Sequence, residues 1–194
     1  VAAALVLCVA GLLVRGRAAT APVFAVYLGF ALITNRLVTW APETFFNRRF
    51  WQWQVATSNA LEFLIVLDIV RVAFRHWKHA RRLVHVGLAI AVATGAGGGA
   101  FAFISGAPDL GMLSWLETAA TWSFVALLIV AGWYRLPLHP FHRSVCLGFA
   151  LYLGLYSAVL DTLAHGTYRT LVATFDPVAF AATVGIWTVA AWHA

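Results

Sequence analysis

Residues 113–134 read LSWLETAATWSFVALLIVAGWY, a stretch that contains one charged side chain, Glu117. An α-helix rises about 1.5 Å per residue, so a run of this length covers the roughly 30 Å hydrocarbon core of a bilayer. Period-two alternation is absent, and backbone groups in lipid must be satisfied inside helices or closed barrels, so the stretch reads as a helix.

Comparable apolar stretches lie at 1–14, 19–39, 52–74, 83–104, 144–165 and 171–192, which gives about seven crossings. The first is short for a span and opens on Val1, so it reads as a truncated helix whose start has been processed away or is missing. Ala41-Pro42, Ala107-Pro108-Asp109 and His139-Pro140 supply turn chemistry between segments. No linker, repeat or low-complexity tract divides the chain, so residues 1–194 form one domain. The expected class is an all-α, polytopic membrane helix bundle.

Composition points the same way. Hydrophobic residues make up 62% and charged residues only 10% of the chain, against about 25% charged in soluble proteins, and mean hydropathy is +0.85. A net charge of +6 and a pI near 10.0 would suggest nucleic acid in a soluble protein. Here the positive charges fall in short loops between apolar stretches, where they orient helices, and no nucleic-acid partner is expected. Cys8 and Cys146 both lie inside apolar stretches and read as small buried hydrophobes.

Lys and Arg accumulate on the cytoplasmic side of membrane proteins. One side of this chain holds Arg15, Arg17, Arg71, Arg75, Lys78, Arg81, Arg82, Arg135 and Arg143, and the other holds Arg36, Arg48, Arg49 and Arg169. This asymmetry places the amino terminus outside and the carboxyl terminus in the cytoplasm. Trp40, Trp51, Trp53, Trp115 and Tyr168 then mark the outer interface, and Trp77, Trp133, Tyr134 and Trp192 the inner one. A bacterial cytoplasmic membrane is the expected location.

Ionisable groups inside the membrane cost several kcal/mol or more unless paired, solvated or neutralised, so their positions carry functional information. Arg36, Glu117, Asp161 and Asp176 all fall in the outer third of their segments, roughly 6 to 9 Å below the boundary at 1.5 Å per residue. His165 lies one turn above Asp161, and the third segment adds Asn59 and the deeper Glu62. Together they predict an outward-facing ligand or ion pocket with Glu62 as its floor. The structural alternative is that Arg36 pairs with one acid while the others cap helix ends, Asp176-Pro177 being a natural start for a helix. If Arg36 organises the pocket by charge pairing, Arg36→Ala destabilises the protein more than Glu62→Gln.

Other patterns favour structure over chemistry. Asp161 and His165 have the spacing of two metal ligands on one helical face, but two ligands do not make a zinc site and no HExxH accompanies them. Asp68, Arg71 and Arg75 suit a local ion pair near the inner interface. Gly95 and Gly99 form a small-xxx-small pattern for close helix packing. A retinal protein needs a lysine in its last helix, and the only lysine is Lys78, in an inner loop.

From Phe50-Trp51-Gln52-Trp53 into Asn59, Glu62 and Asp68, the chain resembles small uncharacterised bacterial seven-helix inner-membrane proteins. It is also similar in layout to the seven-helix input regions of bacterial sensor proteins. The resemblance implies a single-domain membrane protein and no particular activity. The expected function is a non-enzymatic membrane subunit or binding module of a larger, energy-transducing assembly, in contact with lipid and with other membrane subunits, and able to hold quinone or pigment between helices. The alternatives are a sensor or small transporter that uses the outer pocket and, further off, a metal-dependent intramembrane hydrolase.

Overall fold

The computed structural model describes residues 1–45, 47–75, 110–136, 138–164 and 169–193, without the side chains of residues 48, 110–115, 160–164, 169–174 and 176. The segment expected at 83–104, with Gly95 and Gly99, lies outside the described residues. Among the described residues there are helices and no strands. Helix α1 spans Ala2–Val14, α2 Pro22–Trp40, the single turn α3 Pro42–Phe45, α4 Arg48–Ala73, α5 Leu110–Trp133, α6 Pro140–Ala164 and α7 Arg169–His193.

Local chemistry sets these limits. Pro22 and Pro140 occupy first-turn positions, where a missing N–H costs nothing and the fixed φ suits a helix. Asn47 caps α4, its side chain accepting from the Phe50 N–H at 2.9 Å. Beyond α5, Arg135 takes a left-handed φ of 49°, and the Leu136 N–H donates to the Ala131 carbonyl at 2.9 Å, closing the helix end. Across the described termini the sequence reading shifts by at most four residues, with one difference of substance. Pro177 lies inside α7, which begins at Arg169, so Asp176 is not at the helix start that Asp-Pro suggested.

The long helices pack in chain order, α1 on α2, α2 on α4, α4 on α5, α5 on α6 and α6 on α7, and α7 closes the ring against α1. Thr188 of α7 donates to the Ala4 carbonyl at 3.4 Å and Trp192 to the Leu7 carbonyl at 3.2 Å, so these two helices run parallel. Helices α4 and α5 both run antiparallel to α6: Asp68, late in α4, interacts with His142 at the start of α6, and Thr118 of α5 bonds Ser157 at 2.6 Å.

Aromatic side chains fill the middle of the ring at the end that carries the α1–α2 connection. Trp187, Phe24, Phe124 and Phe149 are fully buried. Phe149 stacks on Phe124 at 4.8 Å and tilts against Trp187 at 4.6 Å, while Phe24 meets the indole edge-on at 5.1 Å. Such pairs add about 0.5–1.5 kcal/mol each beyond the area they bury. The plug exists because Gly148 lets the indole approach the α6 backbone: a Cβ there would sit 2.9 Å from Trp187 Cε2 and closer still to Nε1.

Large apolar side chains also cover the outside. Val6 and Leu13 of α1, Val26 and Ile33 of α2, Leu64 and Val72 of α4, Trp122 and Ile129 of α5, Leu147 and Leu151 of α6, and Val178 and Val189 of α7 are all exposed. Among the described residues two helical stretches, Pro22–Trp40 and Leu116–Trp133, are long and apolar enough to cross a membrane, and Ala2–Val14 and Pro177–His193 are shorter apolar helices.

Gly148→Ala is expected to lower stability by about 1–3 kcal/mol through overpacking, read as a lower melting temperature in detergent. Gly29, where a Cβ meets nothing within 4 Å, is the control: Gly29→Ala is expected to be neutral or stabilising by about 0.5–1 kcal/mol. Adding Trp187→Phe to Gly148→Ala should recover part of the loss, measured as a double-mutant cycle.

Candidate functional site

The inward stripe of α4 is Asn59, Glu62, Ile65, Ile69 and Ala73, all buried and spaced three or four residues apart. That of α5 is Glu117, Ala120, Phe124, Leu127 and Ala131. Both stripes are apolar toward the aromatic plug and polar at the opposite end, where Asn59 and Glu62 head one and Glu117 heads the other. Glu62, Glu117 and Asn59 are only 2%, 3% and 6% exposed, so these polar side chains occupy true core positions. Glu62 and Glu117 lie within electrostatic reach of each other. Glu62 Oε2 and both amide atoms of Asn59 are buried without a hydrogen-bond partner.

Next to this polar layer, at the end carrying the α2–α4 connection, is a cavity of about 550 Å³. Tyr27, Phe50, Trp51, Tyr152 and Phe180 supply aromatic walls, and Thr34, Asn35, Asn47, Gln54 and Ser58 supply amide and hydroxyl groups. Among the described residues no Asp, Glu, Lys, Arg or His side chain lines it. The aromatic rim is built locally, with Phe45 against Phe50 at 5.2 Å and Phe30 against Trp53 at 5.4 Å. On the far wall Tyr152 packs on Phe180 at 5.1 Å. A pocket of this size and lining suits a small organic molecule with a ring and hydrogen-bonding substituents.

A second polar cluster ties the opposite end. The Arg17 guanidinium donates to the Ala190 carbonyl and lies 5.8 Å from the Phe141 ring centre. His142 Nε2 is 3.3 Å from the Thr20 carbonyl. The Asp68 carboxylate accepts from the Val23 N–H, one of the orphan donors in the first turn of α2, and interacts with His142 and Arg71. The cluster pins α2, α4, α6 and α7 together where the α1–α2 turn passes beneath the plug.

Of the residues singled out in the sequence, Asn59, Glu62 and Glu117 share one buried layer. Arg36 is exposed on α2. The side chains of Asp161 and Asp176 and the whole of His165 lie outside the described residues, and among those described no group of three metal-ligating side chains occurs. Asp68 is a tertiary helix cap as well as a neighbour of Arg71. The cavity residues Tyr27, Gln54, Ser58, Tyr152 and Phe180 escaped the sequence reading because neutral side chains carry no penalty in an apolar segment, and only the packing order brings them to one place.

Arg36→Ala is expected to change stability by no more than about 0.5 kcal/mol, as for an exposed side chain. Asp68→Ala removes the acceptor of a helix-terminal N–H and is expected to cost about 1–3 kcal/mol. Chemical denaturation of the two variants in the same detergent checks the contrast. No protein-family model, no curated protein and no solved structure matches the chain.

Proposed function

We propose that the chain is a non-enzymatic, membrane-embedded binding module, a subunit of a larger membrane assembly, that holds an uncharged ring compound of quinone type in the cavity between α2, α4, α6 and α7. The cavity carries this reading. Its walls are aromatic, its polar groups are neutral and able to donate or accept, and the aromatic plug closes the bundle beneath it. No Asp, Glu, Lys, Arg or His side chain among the described lining residues would supply a counter-charge to a charged ligand.

The membrane setting is supported by the exposed apolar side chains on every long helix, since soluble monomers rarely expose contiguous apolar patches larger than a few hundred Å². Trp40, Trp133 and Tyr134 are exposed at helix ends, where interfacial rings belong. With the amino terminus outside, the cavity opens toward the outer face and the Arg17, Asp68 and His142 cluster faces the cytoplasm.

Binding is tested by tryptophan fluorescence of the detergent-purified chain titrated with a short-chain benzoquinone. Saturable quenching that disappears in Trp51→Phe and weakens about tenfold in Gln54→Leu is expected, tenfold corresponding to roughly 1.4 kcal/mol, the value of one hydrogen bond. Linear, unsaturable quenching, the same in wild type and both variants, overturns the reading. Orientation is tested with single cysteines placed at Thr44 and Arg135 and a membrane-impermeant maleimide added to intact cells. Labelling at Thr44 alone is expected, and labelling at Arg135 alone reverses the topology.

A further inference from the structure

Three buried polar atoms within one turn of α4 have no hydrogen-bond partner in the protein: Asn59 Oδ1, Asn59 Nδ2 and Glu62 Oε2. Native structures keep few such atoms without a reason, because each has given up water and gained nothing in return. Their chemistry specifies what would satisfy them. Asn59 Nδ2 is a donor and needs an acceptor, whereas Asn59 Oδ1 needs a donor; Glu62 Oε2 needs a donor as a bare oxygen and an acceptor where it carries the proton. A hydroxyl both donates and accepts. With the carboxyl protonated, one hydroxyl satisfies all three atoms, receiving from Glu62 and from Asn59 Nδ2 and donating to Asn59 Oδ1. A carbonyl oxygen only accepts, and leaves Asn59 Oδ1 without a donor.

The pairing of α2 with α4 places these atoms beside the cavity. Asp68 takes the Val23 N–H and Phe30 packs on Trp53, so the two helices run antiparallel. Counted along the axis from that hydrogen bond toward the α2–α4 connection, Glu62 and Asn59 lie roughly 9 and 14 Å away, and Tyr27 and Thr34 of α2 roughly 6 and 17 Å. Tyr27 and Thr34 both line the cavity, so the unpartnered atoms lie at its depth. Around α4, at about 100° per residue, Glu62 falls between Ser58, which lines the cavity, and Asn59. Other polar groups of the lining are already spent on the backbone. The Thr34 hydroxyl donates to the Phe30 carbonyl, and Asn47 accepts from the Phe50 N–H and donates to the Thr44 carbonyl.

We propose that Asn59 and Glu62 make the cavity selective for the dihydroxy form of its ring ligand, a quinol in preference to the quinone, by receiving one ring hydroxyl at the cavity floor. The selectivity rests on the cavity binding proposed above. The hydroxyl donates to Asn59 Oδ1 and accepts from Asn59 Nδ2, with the Glu62 carboxyl as its further partner, while the ring stays among Tyr27, Tyr152 and Phe180. The quinone presents two carbonyl oxygens, which meet Asn59 Nδ2 but supply no donor. The discrimination is one of binding alone and involves no electron transfer.

The test compares trimethylhydroquinone with trimethylbenzoquinone, which match in size and differ in hydroxyl donors, by isothermal titration calorimetry on the full chain in detergent under argon. The hydroquinone is expected to bind about tenfold more tightly, the value of one hydrogen bond to a group otherwise left unsatisfied. In Asn59→Leu the two affinities are expected to become equal. Equal affinities in the wild type, or tighter binding of the quinone, overturn the selectivity, as does a preference that persists in Asn59→Leu protein with an intact melting transition. Where Asn59→Leu does not fold, Asn59→Ala takes its place with the same expected and overturning results, and where neither folds the wild-type comparison decides alone. Saturable binding of both compounds without preference leaves the cavity reading standing and removes only the selectivity. Absence of saturable binding of either compound removes both.

Discussion

The contact of the Trp187 indole with the α6 backbone at Gly148 is the constraint on which the rest of the bundle depends. It brings α7 against α6 at its closest and positions an indole where Phe24, Tyr27 and Phe149 all reach it. The opposite arrangement serves the outer edge of α7, where Trp192 lies against Gly11 of α1 and donates to the Leu7 carbonyl. Two glycines, one on each of the helices that flank α7, thus each receive a tryptophan of α7. In the membrane setting proposed above the surroundings would be as apolar as the core, so helices would gain from close packing and from hydrogen bonds, not from hiding apolar surface. A tryptophan fitted to a glycine supplies that close packing with a large ring, and the indole N–H is the cost. Trp192 satisfies its own, whereas Trp187 Nε1 is buried without an acceptor.

The plug divides the interior into two unlike halves. Toward the α1–α2 connection the stripes are apolar, and the polar groups there, Arg17, Asp68 and His142, act on backbone ends: the Ala190 carbonyl, the Val23 N–H and the Thr20 carbonyl. These are the positions at which helices leave backbone groups unsatisfied, so the cluster answers a structural need. Toward the α2–α4 connection Asn59 and Glu62 sit in mid-helix, where α4 satisfies its own backbone and requires nothing from side chains. Polar groups that serve no backbone end and occupy core positions are the ones for which a ligand is the simpler account.

The helices were legible because hydropathy and length determine them almost unaided. The apolar stretch at 19–39 becomes Pro22–Trp40, 113–134 becomes Leu110–Trp133, and 144–165 becomes Pro140–Ala164, with proline setting two of the three starts. Asp176-Pro177 misled because proline is compatible with a first turn and also, at the price of one hydrogen bond, with a helix interior. Glu62 and Glu117 were legible as buried charges, since any acid in an apolar helix stands out. Their sharing of a layer was not, because ring order depends on which faces pack. Arg36 shows the converse: a charge in an apolar segment attracts notice, yet a long side chain carries its head outward while its stem remains among apolar neighbours.

The ring order gives the polar layer its meaning. Some polar side chains are absorbed by hydrogen bonding along their own helix, as Thr34 is by donating to the Phe30 carbonyl at 2.9 Å. Threonine can bond back onto its own helix; a glutamate or an asparagine in mid-helix has no free backbone donor within reach, because the N–H groups are already committed to carbonyls four residues before. Asn59 and Glu62 must therefore find partners across the bundle, and what α5 offers them is another carboxyl. The same packing that seats Trp187 against Gly148 on one side thereby leaves, on the other, buried polar atoms of Asn59 and Glu62 without a hydrogen-bond partner inside the protein.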